Sequence, residues 1–172
     1  MKNMLLVLFA MATTMMMHAQ SFTAQKVSAE SVPQVVRDAQ AADFPETTVS
    51  MWEKQTKTGV KGTAGIRFVA IFQLDGAKTR ARYYNDGKGI SATSYLTAKQ
   101  LPQAIQDAAK ANYAAYTLTS GEKIQVMSKG TVVYRVRLRK GVQKLVAYVD
   151  ENGKEVSKDK VPAEIKEDET AG

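Results

Sequence analysis

Basic side chains recur at every second position in two stretches of this chain. Lys78, Arg80 and Arg82 alternate with Thr79, Ala81 and Tyr83, and Arg135, Arg137 and Arg139 alternate with Tyr134, Val136 and Leu138. A period of two is that of a β-strand, whose successive side chains point to opposite faces. Each stretch therefore carries cations on one face and apolar or small residues on the other. On a shared sheet the six cations, with Arg67 and Lys144 as neighbours, make one basic surface. An acidic protein or another polyanion is drawn to such a surface by long-range attraction and held by bidentate guanidinium contacts. The same pattern also serves a plainer purpose, because the wet face of a sheet is polar and long basic side chains deter edge pairing. Trp52 is either an aromatic anchor on that surface or a residue capping the core at the sheet edge.

Nucleophilic and metal chemistry lack their usual residues. The chain has no cysteine and one histidine, His18, which lies in an N-terminal leader. Beyond the leader there is neither imidazole nor thiol, which excludes Ser-His-Asp and Cys-His systems and removes the common zinc ligands. No catalytic residue, metal site or cofactor is assigned, and the chain reads as non-enzymatic. Asp150-Glu151-Asn152-Gly153 imitates the start of a calcium loop, but the later ligands and the closing glutamate are missing. Turn chemistry accounts for the same residues, since Asn-Gly supplies the positive φ that tight turns need.

The leader is residues 1–19, with the three parts of a secretory signal: Lys2, an apolar run from Met4 to Ala12, and small Ala19 before Gln20. Thr13, Thr14 and His18 leave the run short of the ~20 apolar residues that a spanning helix needs. Cleavage after Ala19 leaves no transmembrane segment, and without cysteine there is no lipid anchor. A periplasmic or secreted location follows, and export argues against a nucleic-acid partner. The formal charge of +7 is unevenly placed, with +10 on residues 20–149 and −4 on residues 150–172. The body is basic and the tail acidic.

The elements that position the cations form an internal repeat. Val32-Pro33-Gln34-Val35-Val36-Arg37-Asp38-Ala39 returns as Leu101-Pro102-Gln103-Ala104-Ile105-Gln106-Asp107-Ala108, and both copies close on a glycine turn, at Gly87 and Gly153. Apolar residues at i, i+3, i+4 and i+7 predict a helix at each opening, with Ser31 and Gln34 as a capping box for the first and Phe44-Pro45 as its stop. Alternation predicts strands over Val49–Lys54, Ile66–Leu74 and Ala77–Tyr84, then over Lys123–Met127, Thr131–Arg139 and Val142–Val149. The expected fold class is α+β: two tandem helix-plus-antiparallel-meander units forming a sheet with helices packed on one face and water on the other. The units span 31–97 and 98–160, after a flexible lead-in at 20–30 and before an acidic tail at 161–172.

The Val-Pro-Gln-Val-Val opening, the Ala41-Ala42-Asp43-Phe44-Pro45 helix end, the Met51-Trp52-Glu53-Lys54 strand and the Asp150-to-Lys154 turn resemble the PepSY-like, β-lactamase-inhibitor-protein-like family of secreted bacterial domains. The resemblance covers most of 31–165. The second copy lacks the tryptophan and the helix-ending proline. The resemblance implies a helix-plus-sheet unit in tandem and a role in binding or inhibiting other proteins, peptidases among them. It carries over no catalytic residues. The expected function is thus a secreted binding protein recognising an acidic partner, a peptidase or another enzyme, through Lys78, Arg80, Arg82, Arg135, Arg137, Arg139 and Trp52. The alternative is a binder of anionic envelope polymers or lipids.

Overall fold

A computed structural model describes residues 22–165. Eight strands form one antiparallel sheet whose spatial order is the chain order: β1 (Phe22–Val27), β2 (Met51–Lys57), β3 (Ile66–Leu74), β4 (Ala77–Tyr84), β5 (Gly89–Thr97), β6 (Thr117–Val126), β7 (Thr131–Lys140) and β8 (Gln143–Val149). Helix α1 (Gln34–Asp43) lies between β1 and β2, and helix α2 (Gln103–Asn112) between β5 and β6. A 3₁₀ turn precedes each helix, at Ala29–Ser31 and Ala98–Gln100. The order strand, 3₁₀ turn, helix and three strands therefore occurs twice along the chain.

Both helices bury their apolar stripe on the same side of the sheet. Val32 and Val36 pack with Trp52, Phe68, Phe72, Ala81 and Tyr83, while Leu101, Ile105 and Ala109 pack with Tyr134, Val136, Leu138, Ala147 and Val149. Cross-strand register joins Trp52, Ala70, Ala81, Ala92, Gln125 and Val132 in one row, so the two clusters share a face. Phe44 ends α1 by turning its ring onto Phe72, with centroids 4.9 Å apart. Each fully buried side chain of this size contributes roughly 1.5–3 kcal/mol. In a chain without disulfides, such burial carries the stability.

Several expectations need correction. The lead-in at 20–30 is ordered where described: Phe22–Val27 pairs along its length with β2 as an edge strand, and Ala29–Ser31 forms a 3₁₀ turn. Ser31 and Gln34 make no capping box, because Pro33 is the N-cap of α1 and the Ser31 hydroxyl pairs with that of Ser28. A capping box does exist one turn before α2, where Gln100 accepts the Thr97 backbone N–H at 3.0 Å. Strand β5 was not expected. Gly89–Thr97 is rich in small and hydroxyl residues, yet Ser91 and Thr93 are as buried as Ile90 and Ala92 because the strand is central and covered on both faces. Strand β6 starts at Thr117, six residues before the alternation becomes clear. The leader at 1–19 and most of the acidic tail lie outside the described residues.

The repeated glycine turns are seated under the helices. A β-carbon on Gly87 would meet the Val35 carbonyl oxygen at 2.8 Å, and one on Gly153 would meet that of Ala104 at 2.7 Å. Val35 and Ala104 occupy the same position of the repeated opening, so each helix rests on its own turn. Both glycines have positive φ, 85° and 80°. Gly76 shares that conformation, with φ at 73°, but has nothing within 4 Å of its pseudo-β-carbon. Alanine at Gly76 should therefore cost only the left-handed backbone penalty of about 1–2 kcal/mol. Gly87→Ala and Gly153→Ala should each lose clearly more in urea unfolding, since the helix must also shift. Equal losses at all three sites would show that the turns do not support the helices.

Candidate binding face of the sheet

Cross-strand register places all six predicted cations on the face opposite the helices. Lys78, Arg80 and Arg82 of β4 share it with Arg67, Val69 and Ile71 of β3 and with Ser91, Thr93 and Tyr95 of β5. Arg135, Arg137 and Arg139 of β7 share it with Glu122, Ile124 and Val126 of β6 and with Lys144, Val146 and Tyr148 of β8. Lys26, Glu53 and Lys57 complete its charges on β1 and β2. Among the described strand residues this face holds ten basic side chains and two acidic ones.

The rows do not lie side by side as matched rows. Strands β5 and β6 separate β4 from β7, three inter-strand steps or ~14 Å. The two strands also run in opposite directions, and only one cross-strand row contains both: Lys78, Tyr95, Glu122, Arg135 and Tyr148. From that row Arg80 and Arg82 lead one way, and Arg137 and Arg139 lead the other.

Nor is every cation on the surface. Arg82 is 3% exposed and Arg135 7%, which corrects the expectation that both rows meet water throughout. The Arg82 Nη1 donates to the Thr93 hydroxyl at 3.1 Å. Glu122, itself 2% exposed, accepts from Arg135 through one oxygen and from Arg137 Nη2 at 2.6 Å through the other. Burial works against the charge on Arg135, but the Glu122 charge and hydrogen bonds outweigh it and raise the guanidinium pKa. In the other half, Arg80 Nη2 meets Glu53 at 2.6 Å. Arg67 donates to Gln55 at 2.6 Å and lies over the Phe22 ring, 3.6 Å from its centroid.

Trp52 is not an anchor on this face. It is 6% exposed and belongs to the core beneath α1, on the helix side. The face opposite the helices is also not open throughout. Val161 and Ile165, 3% and 0% exposed, pack with Ile124, Val126, Val133 and Tyr148, so the start of the expected acidic tail covers part of it. Lys129 holds this segment through Glu164 at 2.9 Å. The Asp150 carboxylate accepts the N–H groups of Asn152 and Lys154, at 2.9 and 3.0 Å, as a turn cap.

On β4, β5, β7 and β8 the accessible residues lie toward one end of the face, and Lys26 is exposed at the β1 edge. Lys78, Arg137, Arg139 and Lys144 are exposed, Tyr95 is 38% exposed and Val146 43%. Arg139 stands directly opposite Lys144, and Arg137 opposite Val146. Like charges in direct cross-strand register are destabilising. Sequence reasoning missed Tyr95, Glu122 and Val146. The first lies on the unassigned β5, the second just before the expected start of its strand, and the third reads as core by its apolar character alone.

Two outcomes follow from this geometry. Glu122→Gln leaves Arg135 buried without its counter-charge and should cost about 3–5 kcal/mol in urea unfolding. Arg137→Gln removes an exposed partner and should cost under ~1 kcal/mol; similar losses would remove Glu122 as the anchor of the face. The Lys129 hydrogen bond lowers the pKa of Glu164. The folded pKa lies below the unfolded one, so the contribution is present above the ordinary glutamate range, about 4.3, and is lost as pH falls through the lowered value. Amide protection factors in residues 156–165, taken against the intrinsic exchange rate at each pH, should fall at acid pH in wild type and fall less in Glu164→Gln, an effect worth at most ~1 kcal/mol. Identical profiles would exclude the pair as a clamp.

No family model matches the sequence, and no curated protein matches it. Solved structures do share its fold. A BLIP-like protein from Bacteroides fragilis NCTC 9343 aligns with a TM-score of 0.58 and 20% identity, covering 73% of this chain and 83% of that one. A DUF2874 family protein from Bacteroides ovatus ATCC 8483 aligns at 0.57 and 12% identity, with 73% and 84% covered. A protein of Bacteroides eggerthii DSM 20697, named as a candidate periplasmic protein, aligns at 0.55 and 17% identity, with 73% and 86% covered. The chain thus has the fold of the BLIP-like and DUF2874 structures.

Proposed function

We propose that this chain is an exported, non-enzymatic protein of two tandem PepSY-like units that binds an acidic protein partner, in the manner of an inhibitor, through the exposed end of its basic sheet face. The repeated order of strand, 3₁₀ turn, helix and three strands supports the tandem reading, with each unit opening one strand earlier than its helix. The secretory signal supports export, as does the name of one structural neighbour. The BLIP-like name of another is consistent with protein binding. Absence of imidazole and thiol from residues 20–172 supports a role outside nucleophilic catalysis.

The observation that carries the reading is the exposed pair of like charges, Arg139 opposite Lys144, beside Arg137, Tyr95 and Val146. Cations kept in repulsive register gain from an anion laid across them. The Arg137 guanidinium is also held in place by Glu122 from below, so less freedom is lost when it forms a bidentate contact. Tyrosine and arginine are the residue types that most often dominate binding energy, and Val146 adds apolar area between them. Arg82 and Arg135 work beneath this surface and Arg80 stands at its margin, while Trp52 belongs to the core.

Envelope proteins captured by wild type should be compared with those captured by Arg137→Glu, Arg139→Glu and Lys144→Glu combined. A specific partner should bind at least ~10-fold more weakly to the variant, as for loss of more than one interface hot spot. Retention of that partner at wild-type affinity would end the proposal. Its affinity should fall only modestly between 0.1 and 0.5 M salt if an apolar centre contributes. Capture that disappears with salt and extends to every anionic polymer would replace this reading with polyanion binding.

A further inference from the structure

The two halves of the repeat treat the same strand edge differently. The closing glycines, Gly87 and Gly153, lie 66 residues apart, and that offset sets residues 143–148 of β8 on residues 77–82 of β4. The first contacts after each strand agree with it. The Tyr84 N–H donates to the Lys88 carbonyl at 2.9 Å and the Asp150 N–H to the Lys154 carbonyl at 2.8 Å, while Tyr83 pairs with Gly89 as Val149 pairs with Glu155. In the first unit the chain runs on as β5 and pairs β4 as far as Lys78. In the second, the Val156 N–H donates to the Tyr148 carbonyl at 2.8 Å, and the chain then turns off, closed by the Lys160 N–H on the Ser157 carbonyl at 2.9 Å.

Among the described residues β8 thus ends the sheet, registered with β7 on one side and bridged on the other only where Val149 meets Glu155. A cleft of ≈ 240 Å³ lies along that outer side, between Leu145 and Ala147 of β8, Tyr113 at the end of α2, and Val156 and Ser157. We propose that the edge of β8 accepts an extended segment of a partner protein as a ninth, antiparallel strand, with a carboxylate opposite Lys144. The contact is through the main chain and stands whether or not the sheet face binds a partner.

Orientation and side chains fit this occupant. The Tyr148 carbonyl and the Asp150 N–H face outward, so by strand alternation the N–H and carbonyl groups of Val146 and Lys144 face outward too. Edges are usually blunted by proline, bulges or charge. Strand β8 has one lysine and no proline, and it carries Leu145, Val146 and Ala147 where β4 carries Thr79, Arg80 and Ala81. The β4–β5 register sets Tyr95 opposite Lys78, whose counterpart is Lys144. An acid at that position meets Lys144, with Arg139 on the next strand behind it. A second copy brings no such acid, because the one charge on each described sheet edge is a lysine, Lys26 on β1 and Lys144 on β8.

The strand that fills the equivalent edge supplies the probe. A capped peptide of residues 92–97 carrying Tyr95→Glu should bind the full chain roughly 3- to 10-fold more tightly than the same peptide with Tyr95→Lys. In the fold Thr93 stands opposite Arg80, so in the peptide it meets Val146. N-methylation of the Thr93 amide should weaken binding at least ~10-fold, as should Val146→Pro, since proline at an outward-facing amide of an edge strand leaves the β7 ladder intact. Val146→Ala keeps the amide and should stay within ~5-fold of wild type. No binding of the glutamate peptide, equal binding of the two charge forms, indifference to N-methylation, or equal losses in Val146→Ala and Val146→Pro would overturn the proposal. So would self-association of wild type that Val146→Pro abolishes while the peptide stays unbound, which assigns the edge to a second copy. The N-methylated peptide is read on wild type, so the test survives a proline variant that does not fold.

Discussion

A carboxylate closed into the face of a sheet dictates where the charges around it can stand. Glu122 is almost inaccessible, and Arg135 and Arg137 take one of its oxygens each. Desolvation of a buried pair rivals its attraction, so such a cluster is poor evidence for added stability. Its effect is on register. A one-residue slip between β6 and β7 would carry Glu122 to the helix side, into an apolar core with no counter-charge. Glu53 acts comparably on the far half, reaching from β2 across β3 to Arg80 on β4. Each half of the basic face is thus organised around one acid.

The two faces hold the fold by different means. On the helix side, burial of apolar side chains does the holding, and each helix is seated on a glycine turn at the same position of the repeat. On the other side hydrogen-bonded ions and hydroxyls such as Ser91 and Thr93 are buried among apolar residues, part of them covered by Val161 and Ile165. Apolar packing tolerates no exchange with water, whereas ions can trade one anion for another. Apolar packing by the helices and most of the ionic contacts are therefore placed on opposite sides of one sheet.

This division was partly legible in the sequence. Alternation assigned β3 and β4 to the residue and separated the Arg row of β7 from Tyr134, Val136 and Leu138, because a period of two is preserved wherever one face is apolar. The helices were legible from their stripe, and Phe44-Pro45 marked the end of α1. Strands β1 and β5 were not, since an edge strand with an exposed face and a central strand of serine and threonine both lack alternation. The six cations of β4 and β7 were legible as to side and composition, while Trp52 was not. Burial was not, because the length of an arginine does not reveal whether a carboxylate from a neighbouring strand or a returning segment will cover it. Glu122 illustrates the point: it matters through its cross-strand partner, thirteen residues away in sequence.

Repulsion within the face would be relieved by an anion laid across it. Ten cations share the strands of one sheet face with two carboxylates, and Arg139 against Lys144 shows that like charges are even set in direct register. A protein optimised for stability alone would space or neutralise them. Residues retained at that cost make the bare face a higher-energy state. Any acidic segment that settles on it then gains twice, through its own contacts and through relief of the repulsion beneath it. The gain is largely electrostatic, so an acidic segment can settle there and leave without disturbing the core on which the helices rest.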